Sequence, residues 1–213
     1  MEINLFQRQE IWLPTIEGWI VIALCLLFLG IVIRTNIYPF LAVTAPLKAD
    51  ILVVDAWLPC HALKTTAKEF YQGEYKYLIT LGSPLPPGFD RLGCKSLPDS
   101  AATLLTEMGV PQERIVSLVV PISLRDRTLT AAIALREWLA QNASTVKAIN
   151  LCTLGPHARR SRLFFRKTLS PQVTVGIIAA PPSNYEPKRW WQSSEGARTV
   201  FSEAIGYLYA LIR

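Results

Sequence analysis

The chain has 213 residues, enough for one well-buried domain and an appendage. Hydrophobic residues make up 51% and charged residues 18%, and the mean hydropathy is +0.27, more apolar than a soluble domain requires. The net charge of +6 suits an acidic lipid surface, a phosphorylated ligand or nucleic acid, and the absence of any RNA- or DNA-binding motif argues against the last. Four scattered cysteines, Cys25, Cys60, Cys94 and Cys152, show neither a CxxC motif nor a His/Cys ligand spacing, which argues against a structural zinc site.

The apolar excess is concentrated near the start. From Gly18 to Ile33 no residue is charged, and the apolar character resumes after Arg34. A helix needs about 20 apolar residues to cross a bilayer, so residues 18–41 are predicted to form one transmembrane helix. Trp12, Trp19 and Tyr38 lie near its ends, where aromatic belts form. Glu2, Glu10 and Glu17 outnumber Arg8, and Pro46 follows the only small-residue cleavage candidate at Ala45; both argue for an uncleaved anchor. Arg34 and Lys48 beyond the span, against Arg8 before it, weakly favour a cytosolic C-terminal domain on charge alone. Residues 1–45 thus read as the anchoring segment and 46–213 as the domain.

After Pro46, strands and helices alternate. A buried strand over 50–56 (DILVVDA) precedes a helix over 60–73 that stops at Gly73. A second strand, 76–82, leads into a long loop rich in Pro and Gly from Ser83 to about Pro98. A helix over 98–110, with Asp99 or Ser100 near its start, is followed by a strand over 114–121. An amphipathic helix over 127–142, a strand over 146–155, a helix over 157–169 and a strand over 173–180 follow. A long helix over 190–213 closes the chain. Apolar strands alternating with helices predict a Rossmann-like α/β/α domain of three layers with a mainly parallel five-stranded sheet, preceded by the transmembrane helix.

Ligands of such sheets bind beyond the carboxyl ends of the strands. The residues there are Asp55, Gly82 and Ser83, the segment from Arg125 to Thr128, and Gly155 to Arg162. The last carries an odd concentration of charge. In CTLGPHARRSRLFF (152–165), Arg159, Arg160 and Arg162 crowd the start of a helix, where the macrodipole favours anions. Either a bound anion or acidic side chains must compensate, and topology offers Asp55 and Asp126.

The acid closing strand one, TLG after strand two, GVPQERI before strand three, RT opening the next helix and TLGPHARRSRLFF after strand four together resemble the YdcF/ElyC/SanA family of bacterial envelope proteins. The likeness covers roughly residues 49–212 and is most specific at Gly155, His157 and Arg160. It implies a Rossmann-like domain anchored in the bacterial cytoplasmic (inner) membrane, facing the periplasm, with a part in peptidoglycan or surface-polymer biogenesis. One branch of that family binds S-adenosylmethionine, which makes a nucleotide-cofactor module one alternative; a non-catalytic scaffold is another. The sequence departs from the family's usual pattern where strand one runs into VVDAWLP without a glycine-rich turn, and where strand two ends in a single glycine, Gly82.

Each candidate has two readings. His157 is either a general base or hydrogen-bond donor, or a loop histidine tying Gly155 to its helix. Arg160 either clamps an anion or belongs to a solvated face. Arg127 and Thr128 either contact a ligand or serve, with Asp126, only the helix start. Asp55 either activates water, holds a metal or binds a ribose, or salt-bridges an arginine. Trp190 and Trp191 pack the last helix or touch a sugar or headgroups. Glu195 and Arg198 suit a local helical pair, or Glu195 points into the pocket. Cys152 reads as core; Cys60 and Cys94 read as free thiols that an oxidising compartment would allow to pair. The reading that joins these is a cleft over strands one to four that takes an anionic small molecule or a lipid-linked glycan precursor. His157 and Asp55 are its candidate catalytic groups, and Gly82, Ser83, Arg127, Thr128, Gly155 and Arg160 its candidate ligand contacts. No cofactor is specified by these residues.

Overall fold

The structure, a computed structural model, describes residues 12–85, 96–123 and 125–213. It divides into two compact units, Met1–Asn36 and Ile37–Arg213.

The first unit contains most of helix α1 (Ile16–Leu41), which starts slightly before the expected span. At 26 residues it is about 39 Å long, against a hydrocarbon core of about 30 Å. It is long and apolar enough to cross a membrane, and its side chains from Ile20 to Ile33 are exposed. Thr35 and Asn36 return their polar groups to the helix itself, donating to the carbonyls of Ile31 and Val32 at 2.9 Å each.

The second unit begins with the last turn of α1. Its strands are β1 (Ile51–Asp55), β2 (Tyr77–Gly82), β3 (Ile115–Val119), β4 (Ala148–Leu154) and β5 (Thr174–Ala180). They form one sheet in the order β3-β2-β1-β4-β5, and every pairing is parallel. The intervening helices are α2 (Cys60–Gln72), α3 (Leu97–Glu107), α4 (Arg127–Asn142) and α5 (His157–Leu169), and α6 (Ser194–Ile212) ends the chain. This is the expected α/β architecture, and its cause is visible in β1, where all five side chains are buried because both faces are covered. Leu52, Val54 and Leu78 pack under α2 and α3 on one face. Ile51, Val53, Ile149 and Leu151 pack under α4 and α5 on the other.

The segment after α1 runs along the outer edge of β5. Ala45 bridges Ile177 in antiparallel fashion, and the Thr44 hydroxyl accepts from the Ala179 N–H at 3.1 Å. The buried Asn150 amide accepts from Leu47 N at 2.9 Å and donates to its carbonyl at 2.7 Å, which closes this edge against further pairing.

Two helix starts within the second unit also differ from expectation. Helix α3 begins at Leu97, because Ser96 is its N-cap: the Ser96 hydroxyl accepts from Asp99 N at 3.2 Å and donates to the Asp99 carboxylate at 2.6 Å. The final helix begins at Ser194 rather than at residue 190. Residues Pro187–Gln192 form a 3₁₀ stretch, and Ser193 caps α6 by accepting from Gly196 N at 3.3 Å. Most of the loop expected between Ser83 and Pro98, including Cys94, lies outside the described residues, so the Cys60–Cys94 pairing does too.

Candidate functional site

The chain leaves β1 toward β2 and β3 on one side and later returns to β4 and β5 on the other. Strand order therefore reverses between β1 and β4, and the crevice over their carboxyl ends is the position where such sheets take ligands. Asp55 ends β1 there. Val54 is in register with Cys152, so Asp55 lies beside Thr153. By the alternation of the pleat, Asp55 shares a face with Val53, and Thr153 with Leu151, the face that α5 covers. Asp55 is 8% exposed and Thr153 is fully buried; the threonine hydroxyl donates to the carboxylate.

Above them, β4 turns into α5. Gly155 has φ +43, a conformation that favours glycine, and its N–H donates to Ala180 O at 2.8 Å. This turn sets His157 as the first residue of α5. The His157 Nδ1 lies 3.1 Å from Glu203 Oε1, and Arg160 grips the same carboxylate through Nε–Oε2 at 2.7 Å and Nη2–Oε1 at 2.9 Å. Arg160 Nη2 also lies 3.0 Å from Nδ1, so Nδ1 donates to Glu203 Oε1 in one tautomer and accepts from Arg160 Nη2 in the other. A bare Nδ1 would instead face the carboxylate with a lone pair. With hydrogen on Nδ1, the tautomer that pairs with the carboxylate, Nε2 is left for proton exchange. Trp57 meets the imidazole edge-on at 5.6 Å and is 47% exposed, half in the crevice and half in solvent.

The two carboxylates are pushed in opposite directions. Burial raises the Asp55 pKa, against the lowering effects of His157, the Thr153 hydrogen bond and Arg160, while Glu203 raises it further. Burial also pushes Glu203 up, but the hydrogen bonds from His157 and Arg160 and their charges outweigh it and bring the group down to about 2. A carboxyl that resists ionisation beside one that holds its charge is the arrangement from which acid and base roles separate. The shift at Asp55 has a consequence for stability. A raised native pKa means that ionised Asp55 weighs against folding, and that folding is favoured below its ordinary range near 3.8. Asp55→Asn is therefore expected to raise the unfolding temperature at pH 7–8, by a gain that shrinks as the pH falls toward 4. Thermal scans of both proteins across that range check this, and an unchanged or lower transition at pH 8 would contradict it.

The three clustered arginines all have partners inside the domain. Arg159 donates to the Phe40 carbonyl and lies 3.9 Å from the centre of the Phe40 ring. Arg160 holds Glu203, and Arg162 Nε donates to Val175 O at 3.1 Å. The expected counter-ions are corrected by these contacts: Asp126 pairs with Arg213, Asp55 accepts from Thr153, and Glu203 neutralises Arg160. The cluster ties α5 to the end of α1, to α6 and to β5. An incoming anion would meet the imidazole at the N-terminal end of α5.

The remaining candidates fall around this centre. A Cβ on Gly82 would lie 2.9 Å from the Ala56 Cβ, so the glycine lets β2 end against the turn that follows Asp55. The Gly82 carbonyl accepts from Val120 N, and that of Ser83 from Leu97 N. Asp126 takes the N-cap place of α4 with φ 53 and no side-chain cap. Arg127 is exposed and Thr128 half-buried, and among the described residues no hydrogen bond joins either to Asp55, His157 or Arg160. Trp190 is 4% exposed and packs with Leu41 and Val200, as the packing reading has it. Glu195 and Arg198 form the local pair at 2.7 Å. Cys152 is buried against the Thr66 hydroxyl at 3.1 Å, and burial pushes its thiol up to about 12. Among the described residues, no group of three or more His, Cys, Asp and Glu side chains is disposed to hold a metal ion.

Three members of the site were not singled out from the sequence: Glu203, Thr153 and Trp57. Glu203 had a signal. It lies on the inward face of α6 with Gly196, Val200 and Ala210, where a lone acid needs a partner. Gly206, one turn on, makes room for that partner: a Cβ there would lie 3.0 Å from Arg160 Cδ and Nε. No protein-family model and no curated protein matches the chain.

Proposed function

We propose that the protein is a membrane-anchored domain of bacterial envelope biogenesis that binds a phosphate-bearing or lipid-linked glycan precursor in the crevice between β1 and β4. We further propose that His157 exchanges a proton with the bound molecule. The observation that carries this reading is the imidazole of His157, held by Glu203 and Arg160 within electrostatic reach of the buried Asp55. An imidazole fixed by a carboxylate is suited to take and return a proton at a phosphoryl or glycosyl centre. Half-exposed Trp57 offers a ring for a sugar at the mouth, and the N-terminal end of α5 suits a phosphate. Arg160 serves in this reading as the group that keeps Glu203 ionised, and Asp55 as the proton donor or polar handle below the ligand. The placement in the inner membrane with the domain outside it is what the family resemblance implies, and the apolar length of α1 supports the membrane span alone.

Ligand-induced thermal stabilisation of the full-length protein in detergent tests the binding. The panel is inorganic phosphate, polyprenyl phosphate analogues, nucleotide sugars and S-adenosylmethionine. A ligand at a hundredfold excess over Kd stabilises by about 2.7 kcal/mol, roughly 5–10 °C for a domain of this size. We expect this shift for polyprenyl phosphates or nucleotide sugars, and its loss or marked reduction in His157→Ala. A shift with S-adenosylmethionine alone would replace the reading with a cofactor module, and no shift with any ligand would replace it with a scaffold.

A further inference from the structure

The two histidines of the chain lie at the same end of the sheet, and the crevice uses only His157. His61 is the second residue of α2, which follows β1 as α5 follows β4. Ala62 and Leu63, next to it, are buried in the same apolar cluster as Ile178 and Ala180 of β5, so the start of α2 reaches across to where β5 ends. The chain leaves β5 through Pro181, Pro182 and Ser183. Pro182 is buried, and a Cβ on Gly155 would lie 3.5 Å from its Cδ, so this segment is seated on the Gly155 turn. The two prolines fix φ on the approach to Ser183.

The His61 ring has a partner on each nitrogen. Nε2 lies 3.0 Å from the Pro181 carbonyl oxygen, and Nδ1 lies 3.1 Å from the Ser183 hydroxyl. A carbonyl oxygen only accepts, so the neutral ring carries its hydrogen on Nε2. Nδ1 then presents a lone pair, and the Ser183 hydroxyl donates to it. This is the order of a nucleophile, a base and a group that orients the base, each within hydrogen-bond reach of the next. Serine and histidine are 122 positions apart in the chain, so no local turn brings them together. A tie between α2 and the end of β5 needs only the Pro181 bond. Ser183 is exposed, so water is available to its hydroxyl and the bond to Nδ1 is not needed to satisfy a buried group.

We propose that Ser183 and His61 form a nucleophilic dyad that takes an acyl group from a carboxylic ester. Both partners of the ring are neutral, which suits an uncharged carbonyl; a phosphoryl group would bring charge that a cation must meet. In the first step Ser183 Oγ attacks the carbonyl carbon of the ester and its proton passes to His61 Nδ1. The imidazolium stays held through Nε2–H on the Pro181 carbonyl. The bond from the carbonyl carbon to the alcohol oxygen then breaks, and the alcohol leaves with the proton from Nδ1. Water attacks the acyl-serine by the same route: it gives a proton to Nδ1, the carboxylic acid is released, and Ser183 Oγ recovers a proton from Nδ1. Ser183 is the nucleophile, and His61 the general base and then the general acid. The dyad uses neither His157 nor Glu203, and the inference does not depend on what the crevice binds.

An alkyl fluorophosphonate tests it on the full-length protein in detergent, with adducts located by peptide mass spectrometry. Attack by Ser183 forms the Oγ–P bond, passes the proton to His61 and releases fluoride. A positioned base contributes about 10²–10⁴-fold to a rate. Labelling of Ser183 should therefore exceed that of Ser144 and Ser202, exposed serines of the same protein, by about 10²-fold or more. The same factor should be lost in His61→Ala, whose folding is checked by its thermal transition. With p-nitrophenyl acetate, acid quenching should trap an acyl group on Ser183 in the wild type and none in Ser183→Ala. Labelling of Ser183 no faster than of Ser144 and Ser202, or equally fast in wild type and His61→Ala, would overturn the proposal and leave His61 a structural tie. Labelling by the fluorophosphonate without acylation by the ester would overturn the substrate class. The comparison among serines is internal to the wild-type protein, so misfolding of a variant does not enter it.

Discussion

Glu203→Ala is expected to lower the unfolding temperature of the full-length protein by about 5–10 °C, the largest stability effect of any single side chain in the crevice. The carboxylate is the acid that Arg160 pairs with among the described residues, and both side chains are mostly shielded, at 14% and 25% exposure. Removing one partner of a fully buried pair costs about 3–5 kcal/mol. The residual exposure of Arg160 reduces this to about 2–3 kcal/mol, because water reaches part of the guanidinium. Two further results separate this cause from simple loss of volume. First, Arg160→Met combined with Glu203→Leu should recover most of the loss, since the uncompensated charge is then gone. Second, the depressed pKa fixes the pH window. A carboxyl near 2 in the fold and near 4.5 when unfolded contributes stability that is complete above 4.5 and is lost as the pH falls toward 2. Wild-type protein should lose stability across that interval more steeply than Glu203→Gln. A transition in Glu203→Ala within about 2 °C of wild type would contradict the role assigned to the pair.

The pH response of the whole domain combines this with Asp55, which acts in the opposite sense. Acid removes the Glu203 contribution and relieves the cost of ionised Asp55. The single variants, and not the wild-type profile, therefore identify the two groups.

Much of this arrangement is legible before folding. The five strands read as apolar runs because helices cover both faces of the sheet, and they place Asp55, Gly82 and Gly155 at one end by topology alone. His157 follows from the Gly155–Pro156 turn, where the chain must reverse from strand to helix. The partners were not legible. The arginines at 159, 160 and 162 look like a charge cluster in search of an anion, yet helical rotation sends them to the Phe40 carbonyl, the Glu203 carboxylate and the Val175 carbonyl. Those contacts bridge separations of up to 119 residues, which no local spacing encodes. Thr153 was hidden inside an apolar strand, and its meaning depends on the β1–β4 register that sets it beside Asp55. Trp57 lay in a turn whose course over His157 is a tertiary property.

The central claim is that His157, oriented by Glu203, exchanges a proton with a ligand in the crevice. The second large effect is therefore kinetic. A positioned general acid or base contributes about 10²–10⁴-fold to a rate, and His157→Ala removes the group while leaving the Glu203–Arg160 pair in place. The measurement that tests this most directly takes a ligand that stabilises the protein, incubates it with wild type and with His157→Ala, and follows cleavage or transfer at its phosphoryl or glycosyl bond by mass spectrometry. The account predicts conversion by wild type and a rate lower by about 10²–10⁴-fold in the variant. Conversion by His157→Ala at the wild-type rate, or a bound ligand that wild type leaves unchanged, would contradict it.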